Sequence, residues 1–303
     1  MFRSNLIKKI LNNEIFLNEP LVLMHIGAAN SNFDNWKNFA ENSILVTIDG
    51  NNDNKLIKHR FKKIIKEDVF ISNKNGLSNF YLTKDPDCSS LLKPNLKIHE
   101  NWYVSHRFKI IKKINVKTIS INIFLKKHKI NYIDYLTTDI QGMDFYVYKS
   151  LKNQIKNKIS IINIESGLEK FYIKEKSLSE IIDCLNKKFD LSDVKFSYDY
   201  KLKSNQLSKF EKKMLFFTNK PSKIYSNLFF SNRNLDQRTL LIKTINLINS
   251  NKLFEARNLI FQNIKRFKNF ELIYKEIEKY LFQKKILFLV TFPFYFLRKF
   301  LNK

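Results

Sequence analysis

The residues most able to do chemistry stand where two apolar segments end. The segment 21–28 runs into Gly27, and the segment 44–50 ends in Asp49. A glycine lets a ligand approach the backbone, and a carboxylate roughly 20 positions later can accept the hydroxyl protons of a ribose. This spacing favours a nucleoside-cofactor site, with an ordinary strand-end turn as the alternative. Its candidate residues are His25, Gly27, Ala28, Asn30, Asp49 and Gly50.

Two further acids end later apolar segments. Asp139 lies in 131–142, and Glu165 lies in 159–167. Ligands of an open parallel sheet bind beyond the carboxyl ends of its strands. Both carboxylates are therefore expected in one cleft, where they can contact a substrate hydroxyl or take its proton. Capping of the following helix is the alternative role for each acid.

The histidines and one acidic pair give further candidates. His106 stands in a loop-like stretch as a candidate base, with an ordinary surface histidine as the alternative. His25 lies in an apolar strand, where a cofactor contact or a satisfied core position fits better than a metal ligand. Asp85 and Asp87 have the D-x-D form of metal-dependent glycosyltransferases, although a polar turn explains the pair better. No metal-ligating residues are assigned from the sequence.

Alternating strands and helices are expected to position these residues. Helical patterns follow the strands, and Ser177 with Glu180 fits a helix capping box. This order favours an α/β fold with a parallel sheet wrapped by helices. Strands are predicted at 21–28, 44–50, 60–72, 77–83, 131–142, 159–167 and 213–220. Helical segments are predicted at 35–42, 118–129 (after a strand end or cap), 143–152 and 177–189.

The periodicity changes near residue 222, which suggests three parts. These are a helical lead-in at 1–19, the α/β domain at 20–222 and a helical extension at 223–303. The extension contains two amphipathic helices in 236–267 and another helix in 270–284. Its tail, 285–303, is apolar and aromatic, is interrupted by Pro293 and is flanked by cations.

The tail has two interpretations. Its apolar run is shorter than the roughly 20 residues of a membrane-spanning helix. Its aromatic and basic residues suit peripheral contact with the inner face of a membrane. The alternative is a helix that docks on the main domain or on a partner chain.

Composition narrows the class of protein. Hydrophobic residues make up 44% of the chain and aromatic residues 14%, which excludes a disordered chain. The net charge is +26, but it comes mainly from lysine, and A/T-rich codons can explain that excess. No nucleic-acid partner is therefore expected. Two cysteines cannot form a disulfide framework, so a reducing cytoplasm is the expected location.

Together these motifs resemble the FkbM family of S-adenosylmethionine-dependent methyltransferases. LVLMHIGAAN (21–30) resembles its first motif, and Asp49 resembles the acid after its second strand. Segment 70–95 is similar to its strand, turn, "FY" strand and "SSL" stretch. NYIDYLTTDIQGMDFYVYKSL (131–151) resembles its signature D-x-L-K-x-D-x-[EQ]-G-x-E, and IINIESGLEKFY (161–172) resembles the next strand. The resemblance spans about residues 20–220.

The resemblance implies a Rossmann-like, class I methyltransferase fold, a doubly wound sheet that binds S-adenosyl-L-methionine. Asp139, Glu165 and His106 would then serve catalysis, and Ser72 would join the cofactor residues. The chain departs from the pattern at several positions. His25 replaces an acid, Ser31 and Asn32 stand where a second glycine is usual, Thr137 replaces lysine, and Asp144 replaces glutamate.

Two functions from different classes follow. The first is O-methylation of a hydroxyl, on a small molecule or on a sugar of a surface glycan or specialised metabolite. The second is a degenerate, non-catalytic relative that binds a glycan-assembly partner or the inner membrane surface. The departures at His25, Ser31 and Asn32 favour the non-catalytic relative, whereas the strand-end acids favour O-methylation.

Overall fold

The structure is a computed structural model that describes residues 2–29, 31–50, 57–203, 206–267 and 269–301. Side chains are described from residue 3 to residue 286 within these ranges. Asn30 and most side chains of the predicted 285–303 tail therefore lie outside the described residues. The chain forms two compact units, one of 21–32 and 43–233, the other of 1–20, 33–42 and 234–303.

The larger unit, 21–32 and 43–233, contains two sheets. Among the described residues, these sheets comprise ten strands: β1 (Leu21–Ile26), β2 (Ser43–Asp49), β3 (Lys63–Asp68), β4 (Phe70–Ser72), β5 (Gly76–Thr83), β6 (Ile110–Ser120), β7 (Tyr135–Thr138), β8 (Ile161–Gly167), β9 (Phe189–Asp199) and β10 (Ser222–Asn232). The main sheet has the order β3-β2-β1-β7-β8-β10-β9, and the small sheet the order β4-β6-β5. The five strands β3, β2, β1, β7 and β8 are parallel, and β10 is antiparallel to both of its neighbours.

The helices of both units follow the sequence patterns in most places. They are α1 (Phe2–Leu11), α2 (Glu14–Asn18), α3 (Leu96–His99), α4 (Ile121–Lys127), α5 (Asp144–Ser150), α6 (Asn153–Lys156), α7 (Leu178–Leu185), α8 (Lys209–Thr218), α9 (Gln237–Asn249), α10 (Leu253–Asn263) and α11 (Phe270–Leu301). The predicted capping box of α7 is confirmed, because Ser177 and Glu180 each bond to the other's backbone.

The central strands β1, β2, β7 and β8 of the main sheet are buried on both faces. Its first strand is apolar at every position but His25, and Val22 and Met24 lie in the same core cluster as Ile162 and Ile164 of β8. Helices α4, α5 and α7 contribute Phe124 and other apolar side chains to this cluster. Strands with few polar residues are typical of a parallel sheet covered by helices. The predicted α/β, doubly wound, Rossmann-like sheet is confirmed.

Three predicted elements differ from the structure. The strand predicted at 213–220 is wrong, because most of that segment lies in α8, whose start is fixed by a capping box of Ser208 and Glu211. The last strand is β10 instead, so the extension predicted from 223 begins with a strand of the sheet. The segment 35–42 forms short 3-10 turns rather than an α-helix. The strand predicted at 60–72 is divided between the two sheets.

The smaller unit, 1–20, 33–42 and 234–303, is helical. Lys9 of α1 forms an ion pair with Glu276 of α11, with 2.7 Å between nitrogen and oxygen. Arg238 of α9 donates to the carbonyls of Glu19 and Pro20 at 3.0 and 3.3 Å. Within the described part of the chain, no helix combines the length and the apolar character needed to cross a membrane.

Candidate functional site: a cavity at the carboxyl ends of the strands

A cavity of about 480 Å³ lies where the strand order of the main sheet reverses, between β1 and β7. The ends of β1, β2 and β7 line it with Gly27, Asp49 and Asp139. Phe70 and Phe80 of the small sheet form part of its apolar wall. The carboxyl edge at such a reversal is the usual ligand site of an open α/β sheet.

Gly27 brings the ends of β1 and β7 into contact. Its φ is +83°, a conformation that favours glycine. A Cβ atom built at Gly27 would lie 1.8 Å from the carbonyl oxygen of Asp139, so a larger residue cannot fit without a backbone shift. The Gly27 N–H donates to the Ile48 carbonyl at 2.8 Å, and the Asp139 N–H donates to the Ile26 carbonyl at 2.9 Å. The glycine therefore fixes the floor of the cavity.

Asp49 and Gly50 form the neighbouring wall. The Ala29 N–H donates to a carboxylate oxygen of Asp49 at 3.2 Å, which ties the loop after β1 to the end of β2. A Cβ atom at Gly50 would lie 2.3 Å from the Phe70 ring, so this glycine leaves room for the ring. Phe70 and Phe80 stand 4.7 Å apart between ring centroids. The wall thus places a carboxylate near an aromatic pair.

The second acidic element is a carboxyl pair at the ends of β7 and β8. Thr138 is in register with Ile164, so the next residues, Asp139 and Glu165, lie side by side and share a hydrogen bond. Nε2 of Gln141 donates to Asp139 Oδ1 at 3.0 Å and lies 3.3 Å from Glu165 Oε2. The pair and this amide form one polar network beside the cavity.

The carboxyl pair holds protons more tightly than free carboxyls do. Desolvation raises the pKa of Asp139, although its side chain is reached by solvent through the cavity. Desolvation, together with the charge of Asp139, raises the pKa of Glu165 well above its usual value. Two hydrogen-bonded carboxyls in such a place share a proton, and the unprotonated oxygens are a stronger base than an exposed carboxylate.

Gln141 is held in place from three sides. Its φ of +54° is strained for a residue other than glycine. Ser90 Oγ donates to its carbonyl at 2.7 Å, and the Tyr172 hydroxyl donates to its Oε1 at 2.8 Å. The buried carboxylate of Asp144 accepts the N–H groups of Ile140 and Gly142 at 3.1 Å each, which closes the same loop. This network orients the Gln141 amide toward the carboxyl pair.

The cavity is acidic although the protein is strongly basic. Asp49, Asp87 and Asp139 line it, and its described lining residues include no lysine or arginine. The whole chain carries a net charge of +26. Because like charges in a cleft repel and opposite charges attract, the cavity favours a cationic ligand over an anionic one.

The structure brings together only some of the predicted site residues. Among the candidates, Gly27, Asp49, Gly50 and Asp139 line the cavity, and Glu165 reaches it through Asp139. Asn30 lies outside the described residues.

The other candidates do not line the cavity. Ala28 is buried, and Ser72 donates to Asn73 Oδ1 at 3.1 Å. Nδ1 of His25 lies 3.1 Å from Ser31 Oγ, and desolvation lowers the pKa of this histidine to about 4, which keeps it neutral. His106 lies exposed on a 3-10 turn with its Nδ1 3.4 Å from the Tyr103 carbonyl, so its predicted role as a base has no support in this geometry.

The sequence did not predict the contribution of four residues to the cavity. Phe70 and Phe80 belong to segments predicted as strands, but nothing in their spacing indicates that the two rings meet. Asp87 lies in a 3-10 turn, as its polar loop suggests, and it also lines the cavity. Gln141 was visible only as a position in the signature, because its network depends on distant Ser90 and Tyr172.

A buried carboxyl group next to this network is expected to make the free energy of unfolding depend on pH. Glu175 is 5% exposed and accepts the N–H groups of Tyr172 and Gly167 at 2.9 and 3.3 Å. Burial raises its pKa from 4.5 to about 7. The folded state therefore keeps a proton that the unfolded chain releases, so the free energy of unfolding falls as pH rises between these values and levels off above them.

Glu175→Gln is expected to remove this dependence. Relative to the variant, the wild type should lose about 3 kcal/mol of unfolding free energy between pH 4.5 and pH 8. Urea denaturation of both proteins across that range measures the difference. A constant difference between the two proteins would contradict the assignment.

The fold and the cavity define a Rossmann-like protein with a ligand cavity at the carboxyl edge of its parallel strands. The model of the methyltransferase FkbM domain matches residues 24–201 of the chain. The chain therefore belongs to the FkbM methyltransferase family, as the sequence motifs suggested. No curated protein and no solved structure matches it.

Proposed function

We propose that this protein is an S-adenosylmethionine-dependent O-methyltransferase. Its acceptor is a hydroxyl, on a small molecule or on a sugar of a surface glycan or specialised metabolite. The proposal rests on one cavity at the reversal of the strand order, which is lined by Gly27, Asp49 and Asp139. Asp139 is hydrogen-bonded there to Glu165. The expected location remains a reducing cytoplasm, in keeping with the free cysteines Cys88 and Cys184.

The cavity residues suit S-adenosylmethionine in shape and charge. The volume of about 480 Å³ lies within the range of small-molecule sites. In this proposal Asp49 holds the ribose hydroxyls, and the apolar wall of Phe70 and Phe80 contacts the adenine ring; both roles are supported by the position of these residues in the cavity lining. The carboxylates attract the sulfonium and ammonium charges. The neutral product left after methyl transfer would lose one of these attractions.

The carboxyl pair would act as the base. Bound S-adenosylmethionine supplies a methyl group on positive sulfur, so the protein has to align the reactants and accept one proton. Asp139 opens onto the cavity and takes the proton of the acceptor hydroxyl. The acceptor oxygen would bond to that methyl carbon as the carbon–sulfur bond breaks, and the carboxyl pair would keep the proton. Gln141 holds the Asp139 oxygen in place through its Nε2.

Asp49→Ala tests the cofactor part of the proposal. Losing the ribose hydrogen bonds is expected to cost about 1.5–3 kcal/mol of binding, a decrease in affinity of roughly 10- to 150-fold. Calorimetric titration with S-adenosylmethionine measures it. The control is Asp68→Ala, since Asp68 ends the neighbouring strand β3 but does not line the cavity. Equal affinities for wild type and Asp49→Ala would reject the assignment.

A further inference from the structure

Helix α8, Lys209–Thr218, carries an exposed apolar stripe. Phe210 is 72% exposed, Met214 38% and Phe217 86%. Residues three and four positions apart lie on one side of a helix, so these three side chains form a continuous strip. A scattered exposed phenylalanine needs no explanation, but a strip of three on one helix indicates a contact surface.

The stripe points away from the body of the larger unit. Leu215 is buried and Lys212 is half-buried, so these two positions mark the packed side of α8. At about 100° per residue, the packed side is opposite the arc that holds Phe210, Met214 and Phe217. The stripe is therefore not a partly uncovered margin of the hydrophobic core. It faces directly outward.

The helix is anchored independently of the stripe. Leu215 is 2% exposed, and Phe216, although 63% exposed, packs edge-to-face on Tyr200 and Tyr103 with ring centroids 5.5 and 6.4 Å apart. Ser208 and Glu211 form a capping box that satisfies the N-terminal N–H groups. Changes in the stripe should therefore leave α8 folded, which makes the surface testable by substitution.

Positive charge borders the stripe. Lys209 and Lys213 flank it on one side, and Lys220 follows the helix. All three lysines are exposed. Phenylalanine on one face with lysine beside it is the pattern of a helix that lies in a membrane interface and draws on anionic headgroups. These three lysines beside the apolar stripe favour an anionic surface as the partner.

The topology places α8 on the same edge of the main sheet as the cavity. The helix follows the carboxyl end of β9 and precedes the start of β10. Strand β10 is antiparallel to β8, so its start lies at the carboxyl edge of the parallel strands, where Tyr225 pairs with Gly167 two positions beyond Glu165. A surface bound through α8 would thus lie at the edge of the sheet that holds the cavity.

We propose that α8 is an interfacial helix that binds the protein to an anionic lipid surface through Phe210, Met214 and Phe217. The lysines attract the surface, and the aromatic rings enter the headgroup region. This contact is distinct from the predicted tail contact at 285–303. It does not rest on the proposed function, because lipid binding is measured without S-adenosylmethionine or an acceptor.

The test is sedimentation of the full chain with vesicles of phosphatidylcholine alone or mixed with phosphatidylglycerol. The wild type is expected to bind only the mixed vesicles, and more weakly as salt rises. Phe210→Gln with Phe217→Gln should weaken binding at least tenfold. Lys209→Gln with Lys213→Gln should weaken it roughly fivefold per lysine. The control is Phe254→Gln with Phe261→Gln, two exposed phenylalanines of α10, which should bind like the wild type.

Several outcomes would overturn the proposal. One is no binding of folded wild type to mixed vesicles, and another is wild-type binding by the Phe210/Phe217 variant, which would leave the tail as the lipid contact. Sedimentation velocity tests a second copy as the occupant. A wild-type dimer that this variant converts to a monomer would assign the stripe to self-association. Stripe-dependent binding of a single-stranded oligonucleotide, without binding to vesicles, would assign it to nucleic acid.

Discussion

Replacing Asp139 with asparagine is expected to lower the rate of methyl transfer about 10²- to 10⁴-fold, the usual contribution of a positioned base. Asparagine keeps the size of the side chain and the Gln141 contact but cannot take the hydroxyl proton. The affinity for S-adenosylmethionine should change less than about tenfold, because only one of the three cavity carboxylates is lost. Transfer of labelled methyl groups to a panel of sugar acceptors, beside calorimetry, separates the two effects.

The pH profile gives this prediction a second readout. The pKa of Asp139 is raised by desolvation, and the base must be unprotonated. The rate of the wild type should therefore fall as pH is lowered through that raised value, and Asp139→Asn should lack this limb. Asp87→Asn is the control, since Asp87 also lines the cavity but is not in the carboxyl pair. A wild-type rate in Asp139→Asn would remove Asp139 from the mechanism.

Gly27→Ala is expected to be the most damaging single-methyl change in the cavity. The new Cβ atom would lie 1.8 Å from the Asp139 carbonyl oxygen, at a φ of +83° that alanine adopts only with strain. Backbone strain and overpacking together should lower the free energy of unfolding by roughly 2–6 kcal/mol. Binding of S-adenosylmethionine should fall as well, since the floor of the cavity must move. Chemical denaturation and calorimetry measure the two losses.

Gly76→Ala separates the cost of backbone strain from the cost of the steric clash. Gly76 also has a positive φ, +120°, but a Cβ atom there meets nothing within 4 Å. Only the backbone cost of about 1–3 kcal/mol is expected, with cofactor affinity unchanged. Equal losses in the two variants would mean that the contact between Gly27 and Asp139 does not fix the cavity.

The sequence predicted the parts of the fold that local patterns determine. Apolar runs ending in glycine or acid located β1, β2, β7 and β8, because strands buried on both faces are apolar along their length. Strand β9 was missed because it lies at an edge and most of its residues are exposed. The apolar residues of 213–220 suggested a strand, but most of this segment is helical. Hydrophobicity alone does not distinguish a strand from a helix with an exposed apolar stripe.

The candidate site was predictable at strand ends and less so elsewhere. Gly27, Asp49 and Asp139 follow from topology, since parallel strands end at one edge. The Gln141 amide depends on Tyr172 and Ser90, which are distant in sequence, and no local pattern predicts their contacts. His106 is the opposite case. Its side chain is chemically suited to act as a base, but it lies outside the cavity.

Calorimetric titration of the full chain with S-adenosylmethionine is the decisive experiment for the cofactor site. We expect micromolar binding by the wild type and a decrease of at least tenfold in Asp49→Ala, because Asp49 lines the acidic cavity at the end of β2. No binding up to millimolar cofactor, by protein shown to be folded, would contradict the cofactor assignment and favour a non-catalytic relative.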